Sequence, residues 1–410
     1  MPKSFVLCLL LIAAGCLANA QQMALRDGDR VVFYGDSITA QRYYTRFIED
    51  FVLTRYPQLR VTFFNAGVPG DTVNGGYTGD VATRLKRDLF PHQPTVITVM
   101  LGMNDGFYMP FDQKYFDIYA TGYRKLISAI QSNLPGARIT LLSPTPYDEI
   151  THGTEFPQYD QTISRYAEFV KETAASSHFG FSDFNLAVMN LTISGMKTNP
   201  SLAALLIPDR IHPAEASQWV MAAALARDWG MSPVVSAVHL DALQAVPAAT
   251  ENTQVTGMTA RDGKLQWTEL DDSLPLPLDL ENGLVQFVVN VSEVAAMDRE
   301  MLYVDHLPKG RYTLKIDGRV VASFDSEQLA AGVNLAVQAT PMQSQAREVD
   351  AIELKRTQLD EAKFILAVEP PQSGDEAAAT AAIEEKDKSL ATEQRTKAQP
   401  VAHAFELDPE

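Results

Sequence analysis

The only cysteines in the 410-residue chain, Cys8 and Cys16, fall within its first twenty positions. Once that segment is removed, disulfides, Cys-ligated zinc and a thiol nucleophile are excluded together. Positive charge is also short, with 34 Lys+Arg against 51 Asp+Glu and a net charge of −17 at pH 7. An acidic chain repels polyanions, and no local basic cluster offsets it, so no nucleic-acid partner is expected. Beyond the N-terminus no apolar run has the length a bilayer crossing needs, which leaves no integral membrane segment after the leader. No internal repeat is visible. What is present is a hydrophobic content of 46%, which excludes a disordered or collagen-like chain, and a length that suggests about two domains.

The first residues read as a signal peptide, 1–20: Lys3 precedes an apolar run from Phe5 to Leu17 that ends in Ala18-Asn19-Ala20. The protein is therefore expected to be secreted or periplasmic. Ala13-Ala14-Gly15-Cys16 also resembles a bacterial lipoprotein processing site, in which case the chain would be anchored through Cys16.

From Arg30 to about Gly230, short β-branched runs alternate with helical patterns. The runs are Val31–Tyr34, Val61–Phe64, Thr95–Leu101, Ile139–Leu142 and Phe179–Phe181. Helices are expected over Arg42–Thr54, Asp80–Leu89, Tyr115–Asn133, Gln158–Ser177 and Ala214–Trp229. This rhythm predicts an α/β domain over 24–232, a parallel sheet covered by helices. After Trp229 the pattern becomes strand-like, with turns at Asp262-Gly263, Pro308-Lys309-Gly310 and Asp317-Gly318. A β-rich domain is expected over 254–368, with Leu284–Val291 and Tyr312–Ile316 as its clearest strands and one long amphipathic helix over Met342–Leu366. From 369 to 410 the composition of Ala, Glu, Lys, Gln and Pro predicts a disordered tail.

In an open parallel sheet, reactive groups gather beyond the carboxyl ends of the strands. Three strand ends there carry chemistry: Gly35-Asp36-Ser37-Ile38-Thr39, Asn65 to Thr72 with Pro69-Gly70-Asp71, and Gly102-Met103-Asn104-Asp105. A fourth element, Asp209-Arg210-Ile211-His212-Pro213, precedes the last helix of the domain. Together they supply what acyl transfer requires: a hydroxyl nucleophile in Ser37, an imidazole base in His212 with Asp209 to orient it, and donors for an oxyanion. The Ser37 N–H, the Gly70 N–H and the Asn104 amide are the candidate donors. On a helical turn, Asp209 and His212 would share one face. Each piece alone has a plainer explanation: Ser37 as a helix cap, Gly70 as a turn glycine, Asn104-Asp105-Gly106 as a turn, Asp209 and His212 as a surface pair. The order of all four, three of them at successive strand ends, argues against four independent accidents.

Of the seven histidines, His239, His306 and His403 lie outside the α/β region, His92 is at the wrong end of the sheet, and His178 ends a helix. That leaves His152 and His212: His152, in the loop Pro144–Pro157, lies on the correct edge but lacks an orienter at helical spacing, although Asp148 and Glu149 are close, so His212 is the expected base and His152 a candidate substrate contact. Asp36, Asp105 and Tyr147 are further candidates for substrate binding, and the aromatics Phe107, Tyr108 and Phe156 either line a pocket or pack the loops.

These four blocks resemble the SGNH hydrolases, also called GDSL-type esterases and lipases. Ser37 matches in Gly-Asp-Ser-Ile-Thr, Gly70 in Gly-Asp-Thr, Asn104 in Gly-Met-Asn-Asp, and Asp209 with His212, over about Asp29 to Trp229. One departure is Ile38, where the family's nickname has leucine. The resemblance implies a flavodoxin-like three-layer α/β/α fold, hydrolysis through an acyl-enzyme, an oxyanion hole of Ser37, Gly70 and Asn104, and no metal or organic cofactor. It leaves the substrate open.

Export, an acidic surface and an appended β-rich domain fit a polymeric polar ester better than a lipid, so a carbohydrate O-acetylesterase is expected, acting on a small-molecule or polysaccharide ester. A lysophospholipase or thioesterase-type lipid hydrolase is the alternative within enzymes. A non-catalytic carbohydrate-binding protein is the alternative outside them. Activity is expected to fall below about pH 6 to 7, where an ordinary imidazole protonates.

Overall fold

The computed structural model describes residues 23–153, 155–368 and 376–410. The leader expected over 1–20 and the alternative anchor at Cys16 lie outside the described residues.

Strands β1 (Arg30–Gly35), β2 (Thr62–Gly67), β3 (Val96–Met100), β4 (Arg138–Leu142) and β5 (Gly180–Ser182) form one parallel sheet in the order β2-β1-β3-β4-β5. Alternate residues of each strand serve opposite cores, because side chains in a strand have a period of two. Val31 and Phe33 pack with α2 (Tyr43–Arg55) and, further along the chain, Glu215–Asp228, while Val32 and Tyr34 pack with Gln113–Asn133 and Tyr159–Ser177. The result is the three-layer α/β/α sandwich anticipated from the alternation of runs. The chain leaves β1 for β2 on one side and returns to β3 on the other, so the sheet's switch point lies between β1 and β3, where an open α/β sheet has its crevice.

In order, the helices are α1 (Ser37–Ala40), α2, α3 (Val81–Arg84), α4 (Gln113–Asn133), α5 (Tyr159–Ser177), α6 (Phe184–Thr198), α7 (Pro200–Ala203), α8 (Glu215–Asp228), α9 (Gly283–Val291), α10 (Ser326–Ala331), α11 (Pro341–Val368) and α12 (Glu376–Lys397). The helix expected over Asp80–Leu89 is split: α3 passes into a π-helical turn, Leu85–Leu89. The apolar α6 was not anticipated; Asp183 caps it by accepting from Leu186 N–H at 3.0 Å.

The β-rich part contains two sheets. Strands β6 (Val234–Asp241), β7 (Val246–Glu251), β10 (Arg299–Asp305) and β13 (Val333–Asn334) make one, in the order β13-β10-β6-β7, with only β10 and β6 parallel. The second is antiparallel: β8 (Thr253–Arg261), β9 (Lys264–Asp271), β14 (His403–Pro409), β11 (Arg311–Ile316) and β12 (Arg319–Asp325).

Two expectations are corrected here. Leu284–Val291, read as a strand from its valines, is α9. Asn282 caps it by accepting from Leu284 N–H at 2.9 Å, and Val285, Phe287, Val288 and Val289 are buried in the core that α6 and α8 share, so tertiary packing overrides β-propensity. The tail expected to be disordered from 369 is ordered over 376–410. Helix α12 pairs with α11, and ion pairs join them, Arg356 with Asp387 at 2.8 Å and Lys397 with Glu348 at 2.6 Å. Phe405 and Leu407 of β14 enter a core with Leu265, Trp267, Leu314 and Ile316.

The α2 helix also joins the two halves. Arg55, near its end, donates to Asp298 at 2.8 Å and to Ser232 O at 2.8 Å, in an interior where the pair is 2% and 0% exposed.

Candidate active site

At the end of β1 the chain turns sharply. A Cβ at Gly35 would stand 2.1 Å from Thr39 Oγ1 and 2.9 Å from Met100 O, so only glycine allows strand and helix to meet there. Asp36 then caps α1: its Oδ1 accepts from Ile38 N–H at 3.0 Å. Ser37 is thereby the first residue of α1, beyond the carboxyl end of the sheet.

The histidine arrives 175 positions later in the chain, just after its aspartate. His212 Nε2 lies 2.8 Å from Ser37 Oγ, and its Nδ1 lies 2.6 Å from Asp209 Oδ2. A carboxylate can only accept, so Nδ1 carries the ring proton and donates to Asp209, leaving the Nε2 lone pair to accept from the Ser37 hydroxyl. Partial burial pushes the Asp209 carboxyl up, but donation from His212 N–H, the His212 ring and Ile211 N–H outweighs it and holds the group below the usual carboxylate range. Asp209 and His212 do not share a helical face as expected. They occupy a turn with Arg210 in the left-handed region at φ 69°, closed by Asp209 Oδ1 accepting from His212 N–H at 2.7 Å.

Gly70 follows β2 at φ +73°, and nothing of the protein lies within 4 Å of where its Cβ would be. The left-handed backbone calls for glycine, and the space beyond it is open. Asn104 follows β3. Its Nδ2 donates to Asp71 O at 2.9 Å, which ties the loop after β3 to the loop after β2. The nucleophile, glycine and asparagine blocks therefore converge at one rim, since β2, β1 and β3 are neighbours.

A residue that sequence reasoning missed lies beneath them. Arg84, fully buried, donates through Nε to Asp71 Oδ2 at 2.9 Å and through NH2 to Ala66 O at 2.9 Å and Gly35 O at 3.4 Å, and it pairs with Asp88. Its guanidinium sits 4.7 Å from the Tyr34 ring centroid. One fork thus spans the ends of β1 and β2 and the turn after Gly70. The signal was an arginine on an otherwise apolar helical face, with Val81, Leu85 and Leu89. The π-helical turn that begins just after it is a feature often found at functional sites.

The four side chains expected to contact substrate are placed differently. Asp36 is 1% exposed and spent on its cap, and burial pushes its carboxyl up to about 7. Asp105 is 6% exposed; its Oδ1 accepts from Val73 N–H at 3.1 Å, and burial pushes it up to about 8. Tyr147, 1% exposed, packs edge-on against Tyr159 at 5.5 Å. His152 is half-buried, and its Nε2 lies 3.0 Å from Ala204 O, an acceptor that binds the loop to the segment before Asp209. The fold already uses the first three: Asp36 as a helix cap, Asp105 as an acceptor for Val73 N–H, and Tyr147 as a core ring. Phe107, in contrast, is exposed, and Tyr108 is half-buried against Phe156 and Tyr159. Among the described residues, no group of three His, Cys, Asp or Glu is placed to hold a metal ion, and no helix is long and apolar enough to cross a membrane.

Comparison with known proteins agrees with this picture. Residues 33–220 match the GDSL-like lipase/acylhydrolase family. An acetylxylan esterase of Geobacillus stearothermophilus is 27% identical over 235 residues, covering 52% of this chain and all of the relative. The solved structure of a gut microbial diltiazem-metabolizing enzyme is 26% identical and covers 95% of this chain and all of that one, with a TM-score of 0.80, so the β-rich part is shared as well as the α/β domain. A crystal structure of the Geobacillus acetylxylan esterase covers 51% of this chain and 98% of its own, with a TM-score of 0.42 and 25% identity. The family match falls on the segment that carries the nucleophile block and the histidine, so residues 33–220 are similar to the GDSL-like lipase/acylhydrolases, the SGNH group of serine ester hydrolases.

Proposed function

We propose that the protein removes acetyl groups from carbohydrate esters through an acyl-enzyme on Ser37, with His212 as general base and acid and Asp209 as its orienter. The observation that carries this reading is the continuous relay of 2.6 Å and 2.8 Å from carboxylate to imidazole to hydroxyl. In the first half-reaction Ser37 Oγ attacks the ester carbonyl while His212 Nε2 takes its proton. The tetrahedral oxyanion accepts from Ser37 N–H, Gly70 N–H and Asn104 Nδ2–H. Collapse expels the sugar alkoxide, which receives the proton from His212. In the second, water attacks the acyl carbon as it gives a proton to His212, and collapse breaks the bond to Ser37 Oγ, which takes that proton back from His212 as acetic acid leaves and ionises to acetate.

The carbohydrate assignment is supported by the likeness to an acetylxylan esterase over the α/β half and by the acidic, polar character of the chain. The likeness of the full chain to an enzyme that metabolises a drug favours a second reading, in which small soluble esters are turned over by the same relay. A leader over 1–20 would deliver the enzyme to extracellular or periplasmic substrate. The test is acetate release from acetylated xylan and xylo-oligosaccharides beside a series of aryl esters of increasing acyl length. Release from the sugars with a steep preference for acetyl supports the proposal. No release from any sugar, with preference for long chains, replaces it with the lipid hydrolase.

A further inference from the structure

Tyr108 reaches back to the residue four positions before it. Its hydroxyl donates to Asn104 Oδ1 at 3.0 Å, while Asn104 Nδ2 donates on its other side to Asp71 O at 2.9 Å. The two contacts agree on the orientation of the carboxamide: a backbone carbonyl can only accept, so the nitrogen must face Asp71 and the oxygen must face the phenol. Of the two hydrogens on Nδ2, one is used by Asp71 and one is left over.

The backbone is bent to make this possible. Phe107 and Tyr108 are consecutive non-glycine residues in the left-handed region, at φ 54° and 56°. Aromatic side chains there are strained, and such strain persists only where surrounding contacts over-determine it. Those contacts are visible. The Tyr108 ring lies 5.2 Å from Phe156 and 5.0 Å from Tyr159, and the Tyr159 hydroxyl donates to Met103 O, the carbonyl just before Asn104. Burial pushes the phenol up to about 12, so it remains a donor across the working pH range.

We infer that Tyr108 is a positioning residue for ester hydrolysis: its hydroxyl locks the Asn104 carboxamide so that the spare amide hydrogen stays aimed at the substrate's carbonyl oxygen. The inference rests on the oxyanion role proposed for Asn104. Donation into the amide oxygen also draws charge out of the carboxamide, which strengthens the N–H as a donor when the oxyanion forms. The gain is thus concentrated in the transition state, so kcat should respond and KM should not.

The experiment is a double-mutant cycle on the full chain with an aryl acetate, comparing Tyr108→Phe, Asn104→Ala and the double variant. Rates are expressed per site titrated with a fluorophosphonate, so that any misfolded fraction drops out. Tyr108→Phe should lower kcat about tenfold with KM within about twofold, the loss of one well-placed hydrogen bond. Asn104→Ala should lower it on the order of a hundredfold. In the Asn104→Ala background, Tyr108→Phe should change nothing, because the group it acts through is gone. An equal loss in both backgrounds, or no loss in wild type, overturns the inference while leaving the oxyanion hole intact. A wild-type kcat for Asn104→Ala overturns the oxyanion reading and this inference together.

Discussion

Ser37 Oγ and His212 Nε2 lie 2.8 Å apart, on either side of 175 positions of chain. Groups so arranged act as a unit, and their removal is not additive. Ser37→Ala and His212→Ala should each lower kcat on the order of 10⁵- to 10⁶-fold, and the double variant should be no worse than either. Steady-state rates with an aryl acetate, beside labelling of Ser37 by a fluorophosphonate, check this. A double variant slower than both singles would mean that the two side chains contribute separately.

Arg84 neutralises two buried carboxylates while holding the strand-end carbonyls. Arg84→Met should destabilise the protein by about 3 to 5 kcal/mol, because Asp71 would be left buried without its cation, whereas Asp88 keeps Arg87. Arg84→Lys should be nearly as harmful, since one ammonium cannot supply the fork. Pairing Arg84→Met with Asp71→Asn should recover part of the loss, and thermal unfolding reads all of these. Equal melting temperatures for wild type and Arg84→Met would remove the arginine from the scaffold.

The buried acids set a pH dependence of stability. Burial raises Asp105 and Glu49 to about 8, Asp36 to about 7 and Asp298 to about 6, against an unfolded value of about 4. Between those limits the folded protein holds protons that the unfolded chain has released. Stability therefore falls as pH rises, and the penalty is absent below about pH 4. Asp209, held below its usual value, acts in the opposite sense: its contribution is complete above about pH 4 and is lost as pH falls below that. The melting temperature should be higher near pH 5 than near pH 8.5. Asp105→Asn, whose amide oxygen can still accept from Val73 N–H, should raise the melting temperature at pH 8.5 and leave it unchanged at pH 5. An Asp105→Asn curve parallel to wild type would show that this carboxyl is ionised throughout.

Strand β14 fills the gap between β9 and β11, and Phe405 stacks on Trp267 at 5.1 Å. Truncation after Val368 should expose Trp267, shift its emission to the red and promote aggregation, since two sheet edges lose their partner. The milder Phe405→Ala should cost about 3 to 5 kcal/mol in the sheet that holds it. Unchanged Trp emission in the truncated chain would mean that the sheet closes without β14.

The α/β half was legible because strand ends and chemistry coincide: three of the four functional blocks follow a β-branched run, and an open parallel sheet offers one rim for them. The β-rich half was less so. A short run of valines fits a strand or a buried helix equally well, and only the cap at Asn282 and the neighbours α6 and α8 decide it. In the tail, the alternation of His403, Phe405 and Leu407 carried a period-two signal that the surrounding Ala, Glu and Lys masked. Arg84 and Tyr108 were only partly legible. An arginine on an apolar helical face and an aromatic loop residue stood out, but the carboxylates and carbonyls that Arg84 holds, and the amide that Tyr108 holds, are brought to them only by the fold.

The late position of β14 has a kinetic consequence. Synthesis delivers every strand of the α/β sheet before residue 183, so that half can settle early, whereas the antiparallel sheet must wait for residues 403–409. Until they emerge, β9 and β11 are two bare ladders facing each other. A ribosome that stalls in α12, or a protease that clips the chain there, would release a finished hydrolase joined to a sticky half-sheet.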